Sequence, residues 1–441
     1  MAQHSTIVDF MKTVIIGGGA GGLELATFLG RKLKKTDHEV VLIDRNHTHI
    51  WKPLLHEVAA GSLDAEIDSV SYRAHAHRYG FNFKLGNFSG VDRDNKLVRL
   101  SAVHDEDGRE VLPQRDESYD TLVLAIGSAS NDFNIPGIAE HCQFLDGTQQ
   151  AIKFHSRLVN HFIRLNRRLI DEPDACLNIA IVGGGATGVE LTAELFNSRD
   201  LFSLYGLNRI KNKNLNITLI EAGPRLVPAL SEKVSADVFT ALGKLGTQLL
   251  LNTQVSEAKA DCFITSNDEK IDADILLWAA GVKVPQFMAE IEGLETNRIN
   301  QLLVNNHLQT HNDEDIYAIG DCAGYQLDDK RWVPPRAQSA HQMAITVGKN
   351  ITRKLKDKPL VDFKYSDKGS LINLSEFSTV GVLMGNLVRG DTINVRGRIA
   401  RMAYISLYRM HQIALHGWMR ATLLMLSDKI NLLLRPRLKL H

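Results

Sequence analysis

The chain has 441 residues, of which 44% are hydrophobic and 23% charged, so it is long enough for two or three domains with sizeable cores. Its 51 basic and 51 acidic residues give a formal net charge of zero, which argues against a nucleic-acid-binding protein, since such proteins usually carry a basic excess. The four cysteines show no C-x-x-C spacing, which excludes a disulfide framework and an evident zinc or iron–sulfur site.

Residues 1–11 are predicted to form a loose tail, without the charged region and apolar stretch of a secretory signal peptide. No stretch of the chain reaches the roughly 18 uncharged apolar residues of a membrane-spanning helix. The cysteine pattern suits a reducing compartment. These features together predict a cytoplasmic protein that is either soluble or peripheral to a membrane.

A nucleotide-binding unit is predicted from Lys12 to Asp44. The apolar run "TVII" suits a buried parallel strand, and Gly17, Gly19 and Gly22 follow it at G-x-G-x-x-G spacing. In such a turn the glycines allow the tight bend, the approach of backbone to phosphates and the packing of helix on strand. The helix start presents N–H groups to an anion. A second strand, "VVLID", ends at Asp44, whose carboxylate can accept hydrogen bonds from a ribose 2′-hydroxyl.

The pattern changes several times between the first unit and residue 170. The segment "HTHIWKPLLHEVAAGSLD" is predicted to be a loop rich in aromatic and imidazole groups. The run "YDTLVLAIGS" predicts a strand that ends in a small-residue turn, and Pro136-Gly137 predict a crossing between domains. Residues 148–170 are predicted to be helical.

The same glycine turn recurs in "IAIVGGGATGVEL", where eight of thirteen positions are identical to "TVIIGGGAGGLEL". Gly183, Gly185 and Gly188 keep the spacing, and "ITLIE" ends a strand at Glu221 after an insertion of about residues 197–214. One such turn can serve packing alone, but two complete copies indicate two nucleotide cofactors. The Glu221 carboxylate would repel a 2′-phosphate, which predicts NADH rather than NADPH.

The last third of the chain begins with "DEDIYAIGDCAG", a predicted short strand that ends at Gly320-Asp321. Two prolines then introduce a helix within residues 333–351. Residues from about 360 are predicted to be strands to about Val395 and helices after it. From Arg398 to the end there are eight basic residues and one acid.

Residues 402–434 are predicted to form an amphipathic helical segment. Its apolar side consists of Met419, Leu423, Leu426, Ile430 and Leu433, and its polar side of Arg420, Ser427, Asp428 and Asn431. With the basic end "RPRLKLH", this pattern suits a helix that lies in an anionic membrane surface. A helix that faces the core or a second copy of the chain is the alternative, and Lys429 would have to snorkel from the apolar side.

In these motifs the chain resembles the two-dinucleotide-binding-domain flavoproteins, and among them the bacterial type II NADH dehydrogenases, single-subunit NADH:quinone oxidoreductases that pump no protons. "VPPRAQSAHQMA", "YRMHQIALHG" and "RPRLKLH" are the most specific parts of a resemblance that covers nearly the whole chain. It implies an α/β fold with two Rossmann-like domains and a C-terminal membrane-associating helical region. The implied domains are residues 12–135 with 300–355 for FAD, 136–299 for NADH, and 356–441.

The resemblance also implies the residues that hold each cofactor. The FAD-binding residues would be Gly17, Gly19, Gly22, Asp44, Lys52, Pro53, Gly127, Asp321, Ala337 and Gln338. The NADH-binding residues would be Gly183, Gly185, Gly188, Glu190, Glu221 and Gly281. Asp44 stands where many relatives have glutamate, which is longer but accepts the same hydrogen bonds.

The implied reaction passes a hydride from NADH to FAD and then two electrons to a membrane quinone, on the cytoplasmic face of the bacterial inner membrane. Hydride transfer needs no acid–base side chain, whereas quinone reduction needs protons and polar contacts. The catalytic candidates are Glu190, Gln338 and Gln342, the last two being four residues apart on one helix face. Glu190 also matches Glu24 of the first repeat and so can be inherited scaffold, and the glutamines can be loop caps.

Other interpretations differ in how well they fit the sequence. A disulfide reductase needs a C-x4-C pair, which "RNHTHIWKPLLHEV" lacks, and a sulfide:quinone reductase needs cysteines beside the flavin, which residues 333–351 lack. A redox-sensing protein that binds NADH and FAD stays open. No metal site is predicted, because the histidine pairs 75/77 and 411/416 lack a third ligand of fitting spacing. The quinone, the order of substrate binding and the oligomeric state, including a homodimer, also stay open.

Overall fold

The computed structural model describes residues 11–203, 206–374, 378–384, 392–396 and 398–434. The predicted tail 1–11, apart from Met11, and the basic end "RPRLKLH" therefore lie outside the described residues. The helices in chain order are α1 (Ala20–Leu33), α2 (Leu55–Ala60), α3 (Ala65–Asp68), α4 (Tyr72–Tyr79), α5 (Ile138–His141), α6 (Thr148–Arg168), α7 (Ala186–Ser203), α8 (Glu232–Leu245), α9 (Ala337–Lys354), α10 (Arg398–His416) and α11 (Trp418–Leu434).

The strands are mostly short, and several consist of two residues. In chain order they are β1 (Lys12–Ile16), β2 (Glu39–Asp44), β3 (Thr48–His49), β4 (Val70–Ser71), β5 (Asn82–Leu85), β6 (Asn87–Asp92), β7 (Leu97–Ser101), β8 (Val103–His104), β9 (Glu110–Leu112), β10 (Arg115–Ser118), β11 (Thr121–Leu124), β12 (Ala129–Ser130), β13 (Leu177–Val182), β14 (Leu215–Ile220), β15 (Gln248–Leu250), β16 (Val255–Lys259), β17 (Cys262–Thr265), β18 (Lys270–Asp272), β19 (Ile275–Trp278), β20 (Val282–Lys283), β21 (Leu302–Leu303), β22 (Gln309–Thr310), β23 (Asp313–Ala318), β24 (Ala323–Gly324), β25 (Gly369–Leu374), β26 (Ser378–Met384) and β27 (Thr392–Arg396).

The first of two compact units contains the described residues of Met1–Trp51, Ser69–Ala129 and Lys283–Ser366. Its main sheet has the strand order β22-β23-β11-β1-β2-β5 and is parallel except for the edge strand β22. β1 lies in the middle of this sheet, where Val14 and Ile15 are fully buried. Helices α1 and α9 pack against each other.

The second unit contains the described residues of Lys52–Asp68, Ser130–Val282 and Asp367–His441. Its parallel sheet has the order β15-β14-β13-β19. Ile220 and Trp278 of this sheet belong to one apolar cluster with Phe263 of β17. Strands β25, β26 and β27 form an antiparallel sheet that contacts α10. In both units the strand before the glycine turn lies between its own second strand and a later one, which is the Rossmann order. The predicted α/β fold with two Rossmann-like sheets is confirmed.

One local prediction was wrong. The predicted loop "HTHIWKPLLHEVAAGSLD" contains helix α2, because Leu55 and Val58 are buried at helical spacing and Gly61, at φ 86°, ends the helix. The predicted insertion of about residues 197–214 includes the C-terminal end of α7, which continues to Ser203. Among the described helices, none is both long enough and apolar enough to span a bilayer.

Candidate functional sites

The first glycine turn connects β1 to α1 at the carboxyl edge of the parallel sheet in the first unit. Gly17, at φ 99°, donates its N–H to the Ile43 carbonyl at 2.8 Å. A Cβ on Gly17 would overlap the Ala125 carbonyl, and one on Gly22 would overlap the Gly17 carbonyl oxygen. A Cβ on Gly19, in contrast, would meet nothing within 4 Å. Two glycines are thus required for packing, and the middle one borders open space.

The carboxylate of Asp44 closes this turn. It accepts hydrogen bonds from the Gly18 N–H at 2.6 Å and from the Asn46 N–H at 2.7 Å. The Asn46 side-chain amide also donates to Asp44, at 3.0 Å. A carboxylate has about four acceptor positions, so about one remains for a ribose hydroxyl.

Tyr72 and His49 support the same turn, and neither was among the predicted site residues. The Tyr72 hydroxyl donates to the Gly18 carbonyl at 2.8 Å, and His49 Nδ1 lies 2.9 Å from the same oxygen. Burial and the nearby Asp44 carboxylate raise the pKa of Tyr72 well above its ordinary value, so the hydroxyl keeps its proton. The imidazole-rich composition of "HTHIW" was the available signal.

Asp321 follows the carboxyl end of β23 in the same unit. Its Oδ2 accepts from the Ser128 hydroxyl at 2.7 Å, and its carbonyl accepts from Gln301 Nε2 at 2.9 Å. Gly127 precedes Ser128 at φ 76°, and a Cβ there would meet nothing within 4 Å. Ala337 begins α9, whose N-cap residue makes no side-chain capping bond. The structure thus brings together Asp321 and the turn that contains Gly127.

The polar residues of α9 have protein partners. Gln342 donates its amide N–H to the Ser366 carbonyl and accepts from the Ser366 N–H, both at 2.9 Å. This arrangement matches the loop-cap interpretation of Gln342. His341 Nδ1 lies 2.5 Å from Oε2 of the buried Glu24. Gln338 is partly buried in the first turn of α9.

The second glycine turn, between β13 and α7, repeats the geometry of the first. Gly183, at φ 115°, donates to the Ile220 carbonyl at 2.8 Å. A Cβ on Gly188 would overlap the Gly183 carbonyl oxygen, whereas a Cβ on Gly185 would meet nothing within 4 Å. Glu221 takes the place that Asp44 has in the first turn, accepting from the Gly184 N–H at 2.6 Å.

The turn after β19 is the next part of the predicted NADH site. β19 is parallel to β13, and Trp278 pairs with Val182, the last residue before the glycines. The turn after β19 therefore lies beside the glycine turn. Gly281 lies in that turn at φ 64°, with the Phe133 ring 2.6 Å from the place of a Cβ. Only glycine fits there without displacing the ring.

Glu190 lies one turn into α7 and is buried. Its Oε1 accepts from the Asn373 N–H at 2.9 Å, and its Oε2 lies 3.8 Å from Nδ1 of the buried His56. Burial raises the pKa of Glu190 to about 8, opposed by the Asn373 hydrogen bond and supported by the Glu57 and Glu194 charges. The carboxyl group therefore keeps its proton at neutral pH. Sequence reasoning identified Glu190 but missed His56.

Lys52 and Pro53 form a 3-10 turn with Leu54 in the second unit, just before α2. The Pro53 carbonyl accepts a hydrogen bond from His56. The predicted contact of Lys52 and Pro53 with a flavin is not tested by these observations and stays a prediction.

Both glycine turns fit a dinucleotide pyrophosphate. Each leaves the middle glycine facing free space beside a helix start, while its first and third glycines pack against backbone. α1 begins at Ala20 with no side-chain cap at Gly19, which leaves N–H groups for an anion. Across the described part of the chain, no three or more His, Cys, Asp or Glu side chains gather as metal ligands.

The sequence is similar to those of known proteins. The family described as pyridine nucleotide-disulphide oxidoreductase matches residues 11–344. A type II NADH:quinone oxidoreductase of Haemophilus influenzae is 48% identical over 97% of this chain and 99% of its own length. One from Staphylococcus aureus is 28% identical over 87% of this chain and 92% of its own length.

Solved structures show the same fold. NDH2 from Plasmodium falciparum in complex with NADH aligns with a TM-score of 0.77 at 21% identity, covering 98% of this chain and 100% of that one. The sulfide:quinone oxidoreductase of Aquifex aeolicus aligns with a TM-score of 0.70 at 18% identity, covering 92% of each chain.

Proposed function

The chain belongs to the pyridine nucleotide-disulphide oxidoreductase family and, within it, to the type II NADH:quinone oxidoreductases, and on that premise we propose that it oxidises NADH and reduces a quinone without pumping protons. Bound FAD supplies the two-electron chemistry between NADH and quinone. The pair of matching glycine turns, each with open space at its middle glycine, is the observation that carries the proposal.

The turn of Gly17, Gly19 and Gly22 holds FAD, with Asp44 at its ribose and Gly127, Asp321, Ala337 and Gln338 along the rest of the cofactor. Lys52 and Pro53 approach the flavin in this proposal. The N–H groups at the start of α1 bind the pyrophosphate. The hydrogen bond from Ser128 holds the Asp321 carboxylate in place for a second polar contact with FAD. The FAD domain is proposed to comprise residues 12–135 and 300–355.

The turn of Gly183, Gly185 and Gly188 holds NADH within a domain proposed as residues 136–299. Glu221 orients the adenosine ribose, and its carboxylate, which accepts two backbone N–H groups, repels a 2′-phosphate. Gly281 borders the nicotinamide half, since it follows the strand next to β13.

Glu190, Gln338 and Gln342 serve the quinone step. Glu190 is proposed to hold a proton for the quinone oxygens, which suits a buried carboxyl group that is protonated at neutral pH. Gln338 and Gln342 lie one turn apart on α9 and offer amide groups to a quinone carbonyl, although the Gln342 amide is engaged by Ser366 in the structure.

A sulfide:quinone reductase activity is disfavoured by the state of Cys322, the cysteine nearest to Asp321 in sequence. This thiol is buried and donates to the Leu124 and Ile319 carbonyls. Burial raises the pKa of Cys322 to about 11, so it does not supply the thiolate that sulfide chemistry needs.

The test of the function is the oxidation of NADH by the purified protein with and without a short-chain quinone. We expect steady turnover only when the quinone is present. Reduction of the bound flavin by NADH without quinone-dependent turnover would instead support the redox-sensing interpretation.

The apolar side chains of α10 and α11 are proposed to attach residues 356–441 to the cytoplasmic face of the bacterial inner membrane. The exposed apolar side chains there are Ile405, Met410, Ile413, Trp418, Met419, Leu423, Leu424, Met425, Leu426 and Ile430. Trp418 is 71% exposed and Leu423 is 64% exposed, more than expected of helices that only cover a core. A surface of this kind can enter the headgroup region of a bilayer.

The double substitution Met419→Glu with Leu423→Glu is predicted to release the protein from lipid vesicles. Each change removes about 2 kcal/mol of the free energy gained by burying an apolar side chain, so the vesicle partition coefficient should fall roughly a thousandfold. Sedimentation with vesicles that contain anionic lipid measures it. Ile163→Glu is the matched control, because Ile163 on α6 is half exposed as well.

Unchanged sedimentation of the double variant would contradict the membrane proposal. Loss of a homodimer by the double variant, with vesicle binding retained, would assign this surface to a second copy of the chain.

A further inference from the structure

His56 lies between two carboxyl groups, one at each ring nitrogen. Its Nδ1 lies 3.8 Å from Oε2 of Glu190, and its Nε2 lies 3.9 Å from Oε1 of Glu57. Nε2 is buried and has no hydrogen-bond partner among the residues described, so the bond to the Pro53 carbonyl falls to Nδ1. The neutral imidazole therefore keeps an unused lone pair on Nε2, the ring nitrogen nearer to Glu57.

The three side chains form a path from solvent to the buried acid. The Glu57 side chain is 21% exposed, the His56 side chain 4% and the Glu190 side chain 9%. Both gaps are about 1 Å longer than a hydrogen bond, so a small movement of either carboxyl group closes one. An imidazole is suited to this position, because it can accept a proton at one nitrogen and release another from the second.

Few other ionisable groups lie around α2. The turn before α2 carries the exposed Lys52, and the buried ionisable groups on the helices that pack against α2 are His155 on α6 and Glu194 and Arg199 on α7. Glu194 accepts from Asn197 Nδ2 at 2.9 Å. Its charge favours a protonated His56.

The protonation states of His56 and Glu190 fit a cycle in which Glu190 first holds a proton and then releases it. Burial lowers the pKa of His56 to about 4, so the imidazole is neutral while Glu190 holds its proton. Once Glu190 has given up that proton, its new negative charge lies within 4 Å of Nδ1 and favours the imidazolium.

We propose that His56 is a positioning residue that relays protons from Glu57 to Glu190, acting on the quinone step only through Glu190. In each transfer the Glu57 carboxylate first takes a proton from solvent, and the O–H bond so formed breaks as an N–H bond forms at Nε2. The Nδ1–H bond breaks as an O–H bond forms at Glu190. One proton moves and no electrons move. The relay rests on the proposed role of Glu190 in quinone reduction.

The test compares His56→Gln and Glu57→Gln with the wild-type enzyme in separate half-reactions. Both variants should reoxidise reduced flavin with a short-chain quinone roughly tenfold to a hundredfold more slowly above pH 7, because each removes one proton carrier. Reduction of the flavin by NADH should be unchanged. His155→Gln is the control, since His155 is also buried and packs against Gly61 at the end of α2.

A second readout is independent of turnover. The carboxylic acid band of Glu190 in infrared spectra, assigned with Glu190→Gln, should titrate at higher pH in His56→Gln, by roughly one pH unit, because no imidazolium can stabilise the ionised carboxylate. If His56→Gln does not fold, Glu57→Gln still decides the matter, since Glu57 lies near the surface. Wild-type reoxidation rates in Glu57→Gln or an unmoved infrared band would overturn the relay. Absence of quinone reduction by the wild-type enzyme would instead refute the proposed function.

Discussion

A Gly185→Glu variant is expected to remain a folded, yellow protein that NADH reduces roughly a thousandfold more slowly than the wild type. The added Cβ meets nothing within 4 Å, so the fold has no reason to change. The new carboxylate occupies the space proposed for the NADH pyrophosphate, and two like charges in contact cost several kcal/mol, with every 1.4 kcal/mol worth about a factor of ten.

Anaerobic mixing with NADH, followed by flavin absorbance, measures this effect. Dithionite should still reduce the bound flavin of Gly185→Glu, and quinone should still reoxidise it. Gly243→Glu is the matched control, because Gly243 lies on α8 in the same unit and also faces open space. Normal reduction of Gly185→Glu by NADH would remove this turn from the NADH site.

A Gly19→Glu variant is expected to be purified as a colourless apoprotein with less than about a tenth of the wild-type FAD content. Gly19 also borders open space, so the loss should come from charge and volume in the pyrophosphate position rather than from strain. Flavin content per protein and the circular dichroism spectrum measure binding and folding separately. Gly90→Glu, at another open glycine of the same unit, should keep its flavin.

The two glutamate variants together test which turn binds which cofactor. A yellow Gly19→Glu protein and a colourless Gly185→Glu protein would show that the assignment must be reversed. Loss of flavin from both would show that the first and second turns are not independent sites.

The glycine turns could be predicted from sequence because their geometry is local. A Cβ on Gly17 or Gly22 would overlap backbone atoms of the same turn or at the end of the adjacent strand. The acid that closes the turn, Asp44, ends the next strand. The loop 47–64 could not be predicted as readily, since α2 is short and its helical spacing is hidden among aromatic and imidazole groups.

The surroundings of Glu190 were beyond sequence reasoning because they combine distant segments. Glu24 and Glu190 occupy the same position of the two repeats, yet Glu24 contacts His341 whereas Glu190 contacts the Asn373 N–H and lies near His56. The two glutamates have the same position on their helices, but the residues around each of them come from parts of the chain that are not repeated. Tyr72 and His49, which support the first turn, also lie outside the repeated segments.

Rapid mixing of the two half-reactions tests the central claim most directly. NADH, added without oxygen, should bleach the oxidised flavin, and a short-chain quinone added next should restore its absorbance at a rate no slower than steady turnover. A flavin that NADH reduces but that stays reduced in the presence of quinone would contradict the assignment of this chain as an NADH:quinone oxidoreductase.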